Sequence, residues 1–364
     1  MTMKTIDPGV KQAFAERLFG DVLGMFNLAG VYLGETLGLY EAMRDGRAVN
    51  APELAARASI APRYAREWLE HQAANGVLAL EADSDDPDAR RFALPGEHAE
   101  VLANPDDLDF LAWLGRGGVA TFSRLPDVAE AFRTGGGVSW EQFGDPMRRT
   151  QGDANRPLFL HALAQDYLPA IPDVHARLVE GARVAEIGHG MGWAAIGIAR
   201  AYPNVTVDGY DIDAPSVAAA RENARSYGVE DRVRFTAADV ANADTTEGRY
   251  DLVTAFECIH DMPRPVEVLR AMRTMVAPGG AVIVMDERAE ERFAAPASEV
   301  DRFLYGFSLL VCLPDGLSHE ASVGTGTVMR PATFERYAME AGFARVEILD
   351  ALEHPFFRFY RLHP

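Results

Sequence analysis

Two stretches of this 364-residue sequence concentrate residues able to do chemistry. The first is DLVTAFECIHDM, residues 251–262, where an apolar run delivers His260 and Asp261. Imidazole titrates near neutrality, so it is the side chain best suited to take a proton from a reacting hydroxyl. A base is often oriented by an acid. Asp286 and Glu287, which end the run AVIVMDE, and Glu320 are candidates for that role, with Glu287 taken forward. The second stretch is VAEIGHGMGWAAI, residues 184–196, with Gly188, Gly190 and Gly192 at alternate positions after the acid Glu186. Glycines at that spacing permit positive φ and let backbone N–H groups approach a ligand closely.

Both stretches sit where strands give way to loops. From residue 181 onward, short apolar runs alternate with helical segments, the pattern of βαβ units and a parallel sheet. The order is ARVAEI, VTVDGY, RVRFTA, YDLVTAFE and GAVIVMDE, then an insertion over 288–330, a helix over 332–341, and VEILDAL and FFRFYRL. The last two runs are separated only by Glu353-His354-Pro355, too few residues for a parallel crossover, so they form an antiparallel hairpin. The expected fold is α/β, a Rossmann-like, mostly parallel sheet with that terminal hairpin. Ahead of it, residues 10–27 and a second run from Leu28 read as helices. APELAARASI, APRYAREWLEHQAANG, VLALE and RFALP then read as helix–turn–helix–strand–loop–strand, a winged-helix pattern. This divides the chain into a winged-helix domain at 1–105, a helical linker and active-site cover at 106–174, and a catalytic domain at 175–364. The insertion is long enough to be a lid or substrate wall, with Tyr305, Phe307 and Met329 as possible pocket residues. Within the cover, Trp113, Trp140, Phe143, Arg149, Asn155 and His161 are the polar and aromatic candidates.

The glycine pattern discriminates among ligands. A nicotinamide fingerprint GxGxxG needs its third glycine at position 193, which is Trp, and no GK[ST] ending supports a Walker phosphate loop. The stretch EIGHGMG resembles the first motif of class I S-adenosylmethionine-dependent methyltransferases, an acid followed by alternating glycines. The N-terminal pattern resembles the dimerisation domain of small-molecule O-methyltransferases. The resemblance implies that S-adenosylmethionine lies against Glu186, Gly188, Gly190 and Gly192. It implies that Asp211 takes the ribose diol, for which a carboxylate has the two acceptors required, and that Ile212 packs on the adenine. Asp239 would take the adenine amino group, with the alternative that it caps a helix, and Val240 would line the ring. Backbone carbonyls at Phe256 and Glu257 would meet the methionine ammonium. Asp213 reads instead as the cap of the helix begun by Pro215. His260-Asp261 resembles the catalytic histidine and its neighbour in that group, where the histidine deprotonates the acceptor hydroxyl; the alternative is a positioning role. The family often has Trp next, and this chain has Met262.

Composition limits the partners. Lys+Arg of 35 against Asp+Glu of 54 gives a net charge of −19, which opposes phosphate backbones and anionic membranes. The wing loop carries Glu81, Asp83, Asp85, Asp86 and Asp88 against Arg90 and Arg91, so nucleic acid is not expected. Only Lys4 and Lys11 are lysines, and Arg-for-Lys usage with much Ala suggests a high-GC bacterial source. The N-terminus lacks a signal-peptide core, and no membrane span is expected. Cys258 and Cys312 form no CxxC motif, and Cys258 reads as a small core residue. No metal is expected. The function expected is methyl transfer to a small-molecule acceptor, an O-nucleophile of a secondary metabolite, by a cytoplasmic homodimer. The alternatives are C- or N-methylation, a cofactor-retaining enzyme with other chemistry, or a winged-helix ligand-sensing regulator.

Overall fold

The computed structural model describes residues 6–242 and 249–364. The chain separates into two compact units, Met1–Ala120 and Thr121–Pro364, so residues 106–174 are shared between them.

The first unit comprises α1 (Pro8–Thr36), α2 (Ala51–Ala58), α3 (Pro62–Ala74), β1 (Ala79–Ala82), β2 (Arg91–Ala93), α4 (Gly96–Ala103) and most of α5 (Trp113–Phe122). The two helices expected before residue 46 are largely one, α1, which runs unbroken through residues 27 and 28. Its Gly30 and Gly34 do not break it; they let other side chains approach. A Cβ on Gly30 would lie 2.3 Å from Gln72 Nε2, and one on Gly34 2.3 Å from Tyr40 Cε2. Trp68 Nε1 donates to the Gly30 carbonyl at 2.9 Å. α2 opens with a capping box between Asn50 and Glu53, and β1 and β2 pair antiparallel as the wing.

The second unit comprises α6 (Leu125–Thr134), α7 (Trp140–Pro157) continuing into a π-type segment (Leu158–Tyr167), α8 (Pro172–Glu180), β3 (Arg183–Ile187), α9 (Trp193–Ala201), β4 (Thr206–Asp211), α10 (Ala214–Ser226), β5 (Val233–Ala237), β6 (Tyr250–Phe256), α11 (Pro265–Met275), β7 (Val276–Glu287), α12 (Glu299–Phe307), α13 (Leu313–Leu317), α14 (Pro331–Glu340), β8 (Arg345–Ile348) and β9 (Phe357–His363). Among the described residues, seven of these strands form one sheet in the order β5-β4-β3-β6-β7-β9-β8. The first five are parallel; β9 is antiparallel to β7 and β8 to β9. The hairpin connection is longer than expected, residues 349–356, because β8 stops at Ile348. The 288–330 insertion is not structureless: it carries α12 and α13, and Met329 is buried in the core rather than free to line a pocket.

Two apolar layers cover the sheet. One packs the π-type segment and α9 against it through residues such as Leu163, Ile196 and Val207; the other packs α11 and α14 through Leu269, Met272 and Phe334. The chain leaves β3 toward β4 and β5, then returns to β6 on the other side of β3. Ligands in such sheets bind beyond the carboxyl ends of the strands at that reversal. Gly188–Gly192, Asp211 and Glu257–Asp261 all follow the strands that meet there.

Candidate active site

The alternating glycines are a backbone device. Gly188, Gly190 and Gly192 all have positive φ, at 69°, 50° and 79°, a region costly for residues with a Cβ. They differ in what surrounds them. A Cβ on Gly192 would lie 2.5 Å from Phe235 Cζ, and one on Gly188 2.7 Å from Cys258 Sγ, whereas one on Gly190 would meet nothing within 4 Å. Gly190 therefore presents open backbone, as a ligand cradle requires. Its N–H donates to Asp211 Oδ2 at 2.8 Å, and Asp211 Oδ1 accepts from the Asp213 N–H at 2.8 Å. Asp211 is thus fixed to the loop by one bond to each oxygen, with lone pairs remaining for a diol. Asp213 caps α10 through the Ser216 N–H and is gripped by both sides of the Arg148 guanidinium at 2.7 and 2.8 Å. Burial acts against its ionisation, but Arg148 holds its carboxyl below the usual range.

Glu186 lies beneath the loop rather than on its open face. It is buried, and Oε2 has no hydrogen-bond partner; burial pushes its pKa up to about 8. Ile212 stands 60% exposed at the rim beyond β4, and Val240 is buried against the sheet. Asp239 forms a turn with the Ala241 N–H at 2.9 Å and pairs with Arg264 at 2.9 Å. The Phe256 side chain is core, 5.7 Å from the Phe159 ring, so only its backbone belongs to the site. The Cys258 thiol donates to the Ile187 carbonyl at 3.3 Å and burial raises its pKa, consistent with a packing role.

Beyond β6 and β7 the side chains carry the arrangement. The pairing of Phe256 with Met285 sets Glu257 beside Asp286. His260, 2% exposed, has Nδ1 2.7 Å from Asp286 Oδ1 and 2.7 Å from Glu287 Oε2, while Nε2 lies 3.1 Å from Asp261 Oδ1. Burial alone would depress the imidazole pKa, but Asp261, Glu287 and Asp286 together raise it well above its ordinary value. Burial, with the neighbouring Asp286, pushes the Glu287 pKa well up against the opposing pull of His260. Asp286 ionises below the usual range despite its burial, because His260 stabilises its charge. The cluster therefore sets one imidazole among three carboxyl groups, Asp261, Asp286 and Glu287. Glu320 is exposed and outside it. Donor atoms of His260, Asp286 and Glu287, and of His260, Asp261 and Cys312, fall within 4.8 Å of one another. Ligands of one tetrahedral zinc stand about 3.3 Å apart, so the 2.7 Å His260–Asp286 contact is a hydrogen bond and not two ligands of one ion.

The residue named in the sequence only for its carbonyl is Glu257. Its φ is +52°, and Gln151 Nε2 donates to its carboxylate at 3.3 Å. The signal was an acid ending an otherwise apolar strand. Gln151 had no sequence signal. The cover helix is tied to the insertion, since the Trp140 N–H donates to Asp315 Oδ1 at 2.6 Å and the Val138 N–H to the Pro314 carbonyl at 2.9 Å.

Comparison with known proteins bears on the family and the fold. Residues 178–321 match a methyltransferase domain and residues 28–104 an Rv2258c-like winged HTH domain. The chain is 33% identical over 106 residues to the methyltransferase GfsG of Streptomyces halstedii, a match covering 29% of this chain and 38% of that protein. It is 30% identical over 185 residues to a ubiquinone biosynthesis O-methyltransferase of Alkalilimnicola ehrlichii, covering 50% of this chain and 69% of that one. Human N-acetylserotonin methyltransferase, solved with S-adenosylmethionine, superposes with a TM-score of 0.70 at 16% identity, covering 100% of this chain and 99% of that one. At that identity it speaks to the fold alone. With an open glycine cradle, an acid at the end of β4 and matched relatives on both counts, the chain belongs to the S-adenosylmethionine-dependent methyltransferases, with a winged-helix domain ahead of the catalytic one.

Proposed function

We propose that the enzyme methylates a hydroxyl of a small-molecule acceptor, a secondary-metabolite scaffold, with His260 removing the hydroxyl proton. One observation carries this reading. His260 is buried at the carboxyl edge of the sheet, and donation from Nδ1 to Asp286 leaves Nε2 as the basic atom. The cofactor, when bound, supplies a methyl carbon already activated toward displacement, so the protein contributes positioning and proton handling. Gly188, Gly190 and Asp211 hold its amino-acid end and ribose, and Ile212, Asp239 and Val240 its base. His260 must be neutral to accept a proton. Asp261, Glu287 and Asp286 then stabilise the imidazolium that results, and Asp261, with its side chain 35% exposed, connects that proton to solvent. The names of the relatives, O-methyltransferases among them, favour an oxygen nucleophile. The test is incubation with S-adenosylmethionine and phenolic acceptors, followed by product connectivity. Methyl on oxygen with stoichiometric S-adenosylhomocysteine is expected; methyl on carbon or nitrogen, or turnover without that by-product, overturns the reading.

We also propose a cytoplasmic homodimer assembled through α1. Phe14, Leu18, Val22 and Phe26 recur at four-residue intervals on that helix, and each is more than a third exposed, a stripe that a second apolar surface would cover. A monomer in sedimentation equilibrium would refute it. Nucleic acid is not a proposed partner. Arg66 of α3 pairs with Asp88, Arg90 with Glu70 and Asp83, and Arg91 with Glu53, so these cations already face acids of the same domain.

A further inference from the structure

We propose that Glu257 is the counter-ion for the α-ammonium of the cofactor's methionine moiety, held ready for it by the amides of Gln151 and Asn155. The inference rests on the cofactor reading above. Glu257 occupies a left-handed backbone conformation without being glycine. Such strain persists only where the surroundings determine it, and here the Glu257 N–H is fixed to the Met285 carbonyl at 2.8 Å. The carboxyl meets α7. Gln151 Nε2 donates to Oε2 at 3.3 Å, and Asn155, with its amide nitrogen turned toward the acid, donates to the same oxygen at 3.1 Å. Both partners are neutral. Among the described residues no Arg or Lys pairs with Glu257. A half-buried carboxyl served by neutral donors alone is costly to ionise, and loss of solvent pushes its pKa up to about 8, against the opposing pull of His260. His260 does not hydrogen-bond to it; that ring is engaged by Asp286, Glu287 and Asp261.

The position of the acid identifies its cation. Sheet order places β3 between β4 and β6. A cofactor with its ribose on Asp211, beyond β4, crosses the glycine loop beyond β3 and reaches β6 with its amino-acid end. The Glu257–Cys258 turn abuts that loop, since a Cβ on Gly188 would lie 2.7 Å from Cys258 Sγ. The amide-bearing turn of α7 abuts it too, since a Cβ on Gly152 would lie 2.3 Å from Met191 Sδ. The carboxyl is therefore enclosed between the loop and the cover helix, where a primary ammonium supplies the charge and donors that the two amides lack. An ammonium favours the ionised acid, so binding expels the proton that Glu257 carries in the free protein.

Calorimetry of the full chain with S-adenosylhomocysteine, in buffers of different ionisation enthalpy at pH 7, reads that proton directly. Wild type should release close to one proton, and less as pH rises through about 8. Glu257→Gln keeps the shape and the amide contacts. It should weaken S-adenosylhomocysteine about 10- to 100-fold and abolish the proton release. Binding of 5′-methylthioadenosine, which lacks the amino-acid portion, should stay at the wild-type value. Glu257→Asp should recover part of the release. Unchanged S-adenosylhomocysteine affinity, undiminished proton release, or equal loss of both ligands in a variant with wild-type circular dichroism overturns the assignment. A wild-type protein that binds neither ligand overturns the cofactor reading itself.

Discussion

The two halves of the sheet's carboxyl edge are built on different principles. Beyond β3 and β4 the site is made of backbone: three glycines at positive φ and an Asp211 tied by one N–H to each carboxylate oxygen. Beyond β6 and β7 it is made of side-chain charge: one buried imidazole among Asp261, Asp286 and Glu287. A loop set by glycine backbone conformation needs no titration to keep its shape. A carboxylate cage sets when its imidazole is charged. The first half is suited to hold the ribose end of a ligand and the second, Glu257 apart, to time a proton, so damage to each should appear in a different constant.

The largest separation is expected from His260→Ala. Losing the base should slow turnover about 10²–10⁴-fold and leave S-adenosylhomocysteine affinity near wild type, since the His260 ring hydrogen-bonds to Asp286 and not to Glu257 or the glycine loop. Stopped-flow methyl transfer paired with calorimetry checks both numbers. Full turnover would leave His260 a positioning residue and erase the contrast. The converse variant is Asp211→Ala. It removes the diol acceptor and the anchor of the Gly190 N–H, so cofactor affinity should fall by about 1.5–3 kcal/mol. The rate at saturating cofactor should change far less. Unchanged affinity in calorimetry removes Asp211 from the ribose role.

The same contrast explains what was legible in the sequence. Backbone conformation at a βα turn is written locally, because only glycine takes φ of 50–79° at little cost; EIGHGMG therefore announces its loop in the sequence itself. The mostly parallel sheet and the terminal hairpin followed from run lengths and separations. Pairings across strands are not local. Asp286 reaches His260 because of the β6–β7 register, and one residue of slip would turn it to the other face. Glu257 was visible as an acid ending a strand, but its partners Gln151 and Asn155 lie more than a hundred residues earlier on α7, beyond any spacing rule. The continuity of α1 through residues 27 and 28 was not legible, since Gly30 and Gly34 are accommodated only because Gln72 of α3 and Tyr40 fill the space they leave.

The finest test of the comparison is a pH profile. His260 must be neutral to accept a proton, and its neighbours hold its pKa well above the ordinary imidazole value. Activity should therefore fall as pH is lowered through that raised value, giving kcat/KM an acid limb on the alkaline side of free imidazole. Asp261 is the foremost of the carboxylates raising it. Asp261→Asn removes a negative charge 3.1 Å from Nε2, destabilises the imidazolium and moves the limb to lower pH by about one unit. The binding half has no part in this, so the pH dependence of 5′-methylthioadenosine affinity should be the same in both proteins. Asp261→Asn should consequently be faster relative to wild type at low pH than on the plateau, where a weaker base lowers the rate. An acid limb that stays in place means the titrating group is not His260, and the division of labour between the two edges would have to be redrawn around whichever acid it proved to be.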